Sequence, residues 1–264
     1  LYSMLAVLSP AKTLDYDSNC PNHRPTQPRF LDDSAELIET IRKRSRRQLR
    51  ELMGISEKLA DLNFQRYKEW DRPFSEDNAR AAILAFKGDV YTGFDFSQYS
   101  TADFRYAQKH LAILSGLYGM LRPLDLIQPY RLEMGTQLKT KRGTNLYEFW
   151  GDSLTLGVNR ALEDSGATTL VNLASNEYFK AIQPEAIQGE IITPIFKDLK
   201  NGTYKFMSFY GKKARGMMAD FIVRERVESL AKLKKFKTGG YRYNADLTEG
   251  NKWVFTRDAV PKAA

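Results

Sequence analysis

Apolar residues along this chain fall into short continuous runs separated by helical stretches, so buried strands and amphipathic helices are expected together. Met4 to Leu8 reads as a buried first strand ended by Ser9-Pro10, and the polar, turn-rich segment Ala11 to Pro28 as a long loop. Asp33 or Ser34 can cap a helix whose inner stripe is Ala35, Leu37, Ile38, Ile41, Leu49 and Leu52, running to a break at Gly54. Ser56 can cap a second helix through about Tyr67 to Trp70. Ser75 opens a third around Ala79, Ala82, Ile83 and Phe86, although Ile83 to Phe86 also fits a strand. A helix over Thr101 to His110 leads into a strand at Leu111 to Leu114 and a glycine-interrupted loop from Ser115 to Gly135. Thr144 caps a long helix presenting Leu146, Phe149, Trp150, Leu154, Val158 and Leu162. Thr168 to Leu173 is strongly β-like. Gly189–Leu199 and Thr203–Tyr210, joined by Asn201-Gly202, form the clearest hairpin. A helix over Lys212 to Val227 follows, and Tyr241 to Arg257 closes the chain as a hairpin around Glu249-Gly250.

Strands and helices alternate irregularly, with antiparallel hairpins in the second half. That pattern predicts an α/β protein with a mixed sheet and surrounding helices rather than a regular Rossmann-type array. No repeat or Pro/Gly/Ser linker divides it, so one domain over 4–258 is expected. Leu1, Tyr2 and Ser3 precede Met4, which reads as the native start, the three before it as remnants of expression.

The 264 residues, 42% hydrophobic and 27% charged, suit a globular core. The single cysteine, Cys20, excludes an intrachain disulfide, and no Cys/His set has zinc-ligand spacing. With no apolar run of membrane-spanning length, the expected location is the cytoplasm, with no membrane partner, no metal and no cofactor. His23 and His110 stand far apart without carboxylates at metal spacing and read as surface or satisfied histidines. The net charge is +8 and the isoelectric point about 9.4, so anionic partners are favoured. Much of that charge is clustered: Arg42, Lys43, Arg44, Arg46, Arg47 and Arg50 lie within nine residues, dense enough to suggest nucleic-acid contact.

Three loops that follow predicted strands carry candidate chemistry. In Ser9-Pro-Ala-Lys-Thr13, with Asp15 just beyond, the hydroxyls of Ser9 and Thr13, the Lys12 ammonium and free backbone N–H groups can hold a phosphate. From Leu114 to Gly135, glycines 116, 119 and 135 let backbone approach a ligand; Arg122 and Arg131 can fork onto phosphate, with Asp125 and Glu133 to position them. In Asn172-Leu-Ala-Ser-Asn-Glu-Tyr-Phe-Lys180, Ser175 and nearby N–H groups face an anion at a helix start, or Ser175 is a plain cap. Lys212, Lys213 and Arg215 open a helix where the dipole opposes them, so an acidic partner is expected there.

Leu52-Met-Gly-Ile-Ser-Glu-Lys-Leu-Ala60 resembles the helix-hairpin-helix signature of proteins that grip DNA without reading sequence. Gly54 permits the turn, Lys58 stands in the second helix, and Ser56 replaces the usual second glycine. Taken with Ser9 to Asp15, Ala85-Phe-Lys-Gly-Asp-Val-Tyr-Thr-Gly93, the loop Leu114 to Gly135, Asn172 to Lys180 and Phe209-Tyr-Gly-Lys-Lys-Ala-Arg-Gly216, the chain resembles the YaaA family of bacterial peroxide-stress proteins from Met4 to about Arg257. The resemblance implies a role in the oxidative-stress response, with free iron kept low and DNA protected. It also implies a fold outside the common superfolds, with a basic cleft and a DNA-binding helical hairpin. Cys20 lies outside the shared motifs, which argues against a thiol peroxidase.

Two readings stay open. In one, a monomer binds double-stranded DNA through Arg46, Arg47, the hairpin at Gly54, and Lys212, Lys213 and Arg215, with little base specificity. In the other, an enzyme acts on a nucleotide or other phosphorylated small molecule: Lys12, Arg122, Arg131 and Lys180 hold the anion, and Asp125, Glu133 or Glu177 serves as acid or base. An iron-binding or scaffold role ranks last, because no carboxylate spacing singles out a ligand set.

Overall fold

The computed structural model describes residues 3–19, 21 and 23–260. Cys20 therefore lies outside the described residues, as does Asn22. Strand β1 (Ser3–Leu8) opens the fold, and a short β2 (Thr13–Leu14) follows it. Helices α1 (Leu31–Ile41), α2 (Arg46–Met53) and α3 (Glu57–Glu69) come next, then β3 (Arg80–Ala81), α4 (Ala82–Ala85) and β4 (Phe86–Lys87). After α5 (Thr101–His110) come β5 (Leu111–Ser115), β6 (Gly119–Leu121) and β7 (Leu126–Ile127). Helices α6 (Leu146–Trp150) and α7 (Ser153–Ser165) precede β8 (Ala167–Leu173) and α8 (Asn176–Phe179). The chain ends with β9 (Glu190–Lys200), β10 (Thr203–Lys205), α9 (Ser208–Arg224), α10 (Leu230–Leu233), β11 (Arg242–Tyr243) and β12 (Lys252–Arg257).

Eight strands make the main sheet, in the order β11-β12-β9-β8-β1-β5-β6 with β10 beside β9. It is mixed, as the hairpins predict. The inner strands β12, β9, β8, β1 and β5 are all parallel, and β11, β6 and β10 are antiparallel additions. Strand β1 is buried from Met4 to Leu8 because a parallel neighbour flanks it on each side and helices α5, α7 and α9 pack against it. Taken in chain order, the five parallel strands lie second, first, third, fourth, fifth across the sheet. The winding direction therefore reverses between β1 and β8. In doubly wound sheets that reversal opens a crevice at the carboxyl ends of the two strands.

Several expected elements are subdivided. The stripe from Ala35 to Leu52 is carried by two helices, because Ser45 forms a full capping box with Gln48 and restarts the helix there. Gly151, with φ +46°, separates α6 from α7 in the same way. The helix expected from Ser75 to Phe86 is replaced by two-residue strands around the single turn of α4. Residues Ala79 to Phe86 are buried throughout, so no polar outer face exists for a long surface helix, and Arg80–Ala81 pair with β7 instead. The hairpin of β9 and β10 turns through Asn201 and Gly202, both at positive φ. Its second strand stops at Lys205, and α9 starts four residues earlier than Lys212.

Candidate functional site

A cavity of about 440 Å³ lies at the carboxyl ends of β1 and β8, where the winding reverses. Its walls are Ser9 to Thr13 after β1, Lys87 to Tyr91 after α4, Tyr130 to Glu133, then Ser175, Glu177 and Tyr178 after β8, with Lys212 and Arg215 from α9. The Ser175 backbone N–H donates to Ser9 Oγ at 2.8 Å, and the two hydroxyl oxygens are 3.3 Å apart, so the strand ends are tied directly across the crevice. Tyr91 locks the first loop by donating its hydroxyl to the Ser9 carbonyl at 2.9 Å.

Glycines set the distances between the walls. A Cβ on Gly116, just past β5, would stand 2.1 Å from the Leu132 carbonyl oxygen, so only glycine lets the Arg131–Glu133 segment cross there. A Cβ on Gly216 would meet the Val90 carbonyl oxygen at 1.7 Å, and one on Gly93 the Met217 nitrogen at 2.4 Å. Helix α9 therefore lies directly on the turn at Tyr91–Gly93, which carries Lys212 and Arg215 to the cavity.

The charges are unevenly matched. Glu133 is shared: one carboxylate oxygen is 2.6 Å from Lys12 Nζ and the other 3.3 Å from Arg131 Nη2. Arg131 Nε is nonetheless buried without an acceptor. Glu177 accepts the Gly135 N–H at 3.0 Å. Arg215 has no hydrogen bond or ion pair among the described residues, and burial alone pulls its guanidinium below the usual arginine value. Tyr91, Tyr130 and Tyr178 are pushed above the ordinary tyrosine value, chiefly by burial, so their hydroxyls are neutral donors at working pH. A half-buried guanidinium with no counter-charge, beside a second with a free N–H, suits an anion with several acceptor oxygens.

Of the sequence-derived candidates, Ser9, Lys12, Thr13, Arg131, Glu133, Ser175, Glu177, Lys212 and Arg215 meet at this cavity. Others lie elsewhere. Asp125 is fully buried, gripped by the Arg122 side chain at 2.7 Å and its backbone N–H at 2.8 Å, and by the Thr26 hydroxyl at 2.6 Å. It clamps two loops together and does not face the cavity, and Arg122 is spent on the same clamp. Lys180 is exposed beyond α8, and Lys213 lines a separate cavity of about 310 Å³ with Phe209, Tyr210 and Arg257. Lys87, Asp89, Tyr91, Tyr130 and Tyr178 line the main cavity although the sequence does not single them out as site residues. The polar run Lys87-Gly-Asp, directly after buried Ala82 to Phe86, is the available signal.

Arg46 and Arg47 belong to α2 and Lys58 to α3, and the two helices meet through a tight turn with Gly54 in the left-handed conformation. That face is partly neutralised: Arg46 pairs with Asp61 at 3.0 Å and lies over the Phe64 ring, and Arg47 pairs with Glu51 at 2.9 Å. Arg42 is turned inward onto the carbonyls of Tyr67 and Trp70. Lys43, Arg44, Arg50 and Lys58 have no ion pair among the described residues.

Among the described residues no three His, Cys, Asp or Glu side chains are grouped to hold a metal ion, and no helix is long and apolar enough to cross a membrane. A UPF0246 protein of Idiomarina loihiensis is 56% identical over 254 residues, covering 96% of this chain and 98% of the relative. One from Hahella chejuensis is 53% identical (97% and 100% covered), and one from Cellvibrio japonicus 54% identical (97% and 99%). Residues 4–247 match the family described as peroxide stress protein YaaA, and with relatives this close over nearly the whole length, the chain belongs to that family.

Proposed function

We propose that this protein serves peroxide-stress resistance in the cytoplasm by binding DNA through its phosphates, mostly without sequence specificity, and so limits iron-driven damage. The observation that carries the reading is Arg215: a desolvated guanidinium at a cavity, left without a carboxylate in a chain that has 32 of them. Lys43, Arg44, Arg50 and Lys58 add a second unneutralised surface around the α2–α3 turn. Protein cations that neutralise phosphates release the counterions condensed on DNA. Ferrous ions are among those displaced, which moves their reaction with peroxide away from the backbone.

The test is anisotropy of a labelled oligonucleotide titrated across roughly 50–200 mM salt, with a scrambled sequence as competitor. Five or six phosphate contacts would give a log–log slope of about −5. Equal competition by the scrambled sequence is expected. A shallow slope, or binding that follows sequence, would count against the reading.

A second reading is favoured by one specific feature. The cavity lies at the winding reversal, where phosphorylated small molecules bind in doubly wound sheets, and Glu133 faces it between two cations. An enzyme acting on a nucleotide would use Glu133 as its acid or base. Saturable displacement of the oligonucleotide by a single free nucleotide, followed by turnover of that nucleotide, would establish it over the first.

A further inference from the structure

The most exposed aromatic rings in the described structure stand at the start of α9, the helix that carries Arg215 to the main cavity and Lys213 to the second. Phe206 and Phe209 are 50% and 58% exposed, while the other large exposed hydrophobics are aliphatic. Phe206 lies against Gly211, where a Cβ would be 2.5 Å from its ring, and its centroid is 5.9 Å from the Arg215 guanidinium carbon. It therefore stands next to Arg215, the unpaired cation of the main cavity, without lining that cavity itself. Phe209 lies edge-on to Tyr210, with centroids 5.4 Å apart, and borders the second cavity with Lys213 and Arg257. Lys205 precedes the two rings in sequence, and Lys212, Lys213 and Arg215 follow them.

Rings left in water amid lysines fit poorly with burial against another protein, because lysine is depleted from the centres of such interfaces. They fit an alternating polymer of flat apolar groups and anions. An unpaired nucleic-acid strand is such a polymer: its bases stack on aromatic side chains while its phosphates meet the cations, without dependence on sequence. A closed duplex hides its base faces and would leave both rings exposed. We propose that Phe206 and Phe209 are a stacking platform for unpaired bases, so that the DNA held at the start of α9, beside Arg215, is single-stranded or locally opened. The proposal rests on the DNA-binding reading above and names the kind of DNA that is held there.

The experiment compares three labelled probes of equal length: single-stranded oligo-dT, a strand of abasic deoxyribose phosphates, and a closed duplex. Each is titrated with wild-type protein and with Phe206→Leu, Phe209→Leu and the double variant, which keep bulk and remove the flat face. Unchanged thermal melting confirms the fold. The double variant should bind oligo-dT about ten-fold or more weakly, within the range for loss of base stacking. Abasic and duplex binding, and the salt slope, should not change. Wild-type protein should bind the abasic strand about as weakly as the double variant binds oligo-dT. Equal wild-type affinity for oligo-dT and the abasic strand, or an unaltered double variant, would overturn the platform and leave the phosphate reading standing. The platform is equally overturned if the rings matter only for sedimentation with anionic lipid vesicles. If none of the probes binds even at low salt, the DNA-binding reading itself fails.

Discussion

Arg122 and Arg215 carry the same group in opposite circumstances. Arg122, itself only partly buried, is fixed on a fully buried Asp125, and Asp125→Asn is expected to cost about 2 kcal/mol, since it takes the charge out of the buried hydrogen bonds that Arg122 and Thr26 make there. Denaturant melts would show it. Arg215 has burial without a partner, an arrangement that lowers stability unless a ligand supplies the anion. Arg215→Met should therefore weaken DNA binding at least ten-fold while raising the melting temperature by about 2–4 °C, the scale of ~1 kcal/mol in a domain of this size. Loss of both binding and stability together would contradict the assignment. The Arg122 partner, Asp125, is legible in the sequence three residues on, whereas the absence of any partner for Arg215 among the described residues depends on the fold around it. His110 adds a pH dependence. Burial holds its imidazole below the ordinary 6.5, against the pull of the Met4 carbonyl that accepts from Nδ1 at 2.9 Å. Nearby Lys109 and Arg226 push the same way as burial, and Glu228 opposes. The folded state keeps the neutral ring, so its contribution is complete above pH 6.5 and falls away as the pH drops through the folded value. The melting temperature should decline between pH 7 and 5, and less steeply in His110→Phe, which keeps the stack on Tyr106.

Element by element, local chemistry is legible in the sequence and local interruptions are less so. The Ser56 cap, the helix from Thr101, β8 and the Asn201-Gly202 turn are visible because each rests on a few adjacent residues. The split at Ser45 is readable in principle, since Ser45 and Gln48 form a capping box, but the apolar stripe continues in phase across it. The segment from Ala79 to Phe86 misleads for a different reason: residues buried on all sides show no periodicity that distinguishes helix from strand. The contact of α9 on the turn at Tyr91–Gly93 gives the sharpest test at this scale. Gly216→Ala would force the helix off the Val90 carbonyl, which should cost about 3 kcal/mol as overpacking. Binding should fall with it, because Arg215 and Lys212 move with the helix. Gly202→Ala on the exposed hairpin turn, where nothing crowds the added carbon, should leave binding intact and lose only some stability from its positive φ.

Across the whole molecule, the class of sheet is legible and its order is not. Mixed pairing follows from visible hairpins, but the order of the parallel strands depends on which distant segments flank β1. Cavity membership follows that order, which is why the loops can be nominated from sequence while Lys180 and Asp125 cannot be separated from Glu133 and Arg215. The central position of β1 also bears on how the protein is made. Its partners are residues 111–113 on one side and 167–173 on the other, so its hydrogen-bonding edges cannot be covered when it leaves the ribosome. At a synthesis rate of roughly 5–20 residues per second, that apolar strand waits on the order of ten to thirty seconds for β8 to emerge. Pairings this far apart in sequence fold slowly even in a complete chain. Newly made copies therefore pass through a long interval in which the crevice between β1 and β8 is unformed and a sticky edge is open. A chaperone that covers apolar strands during synthesis would have this edge as its target.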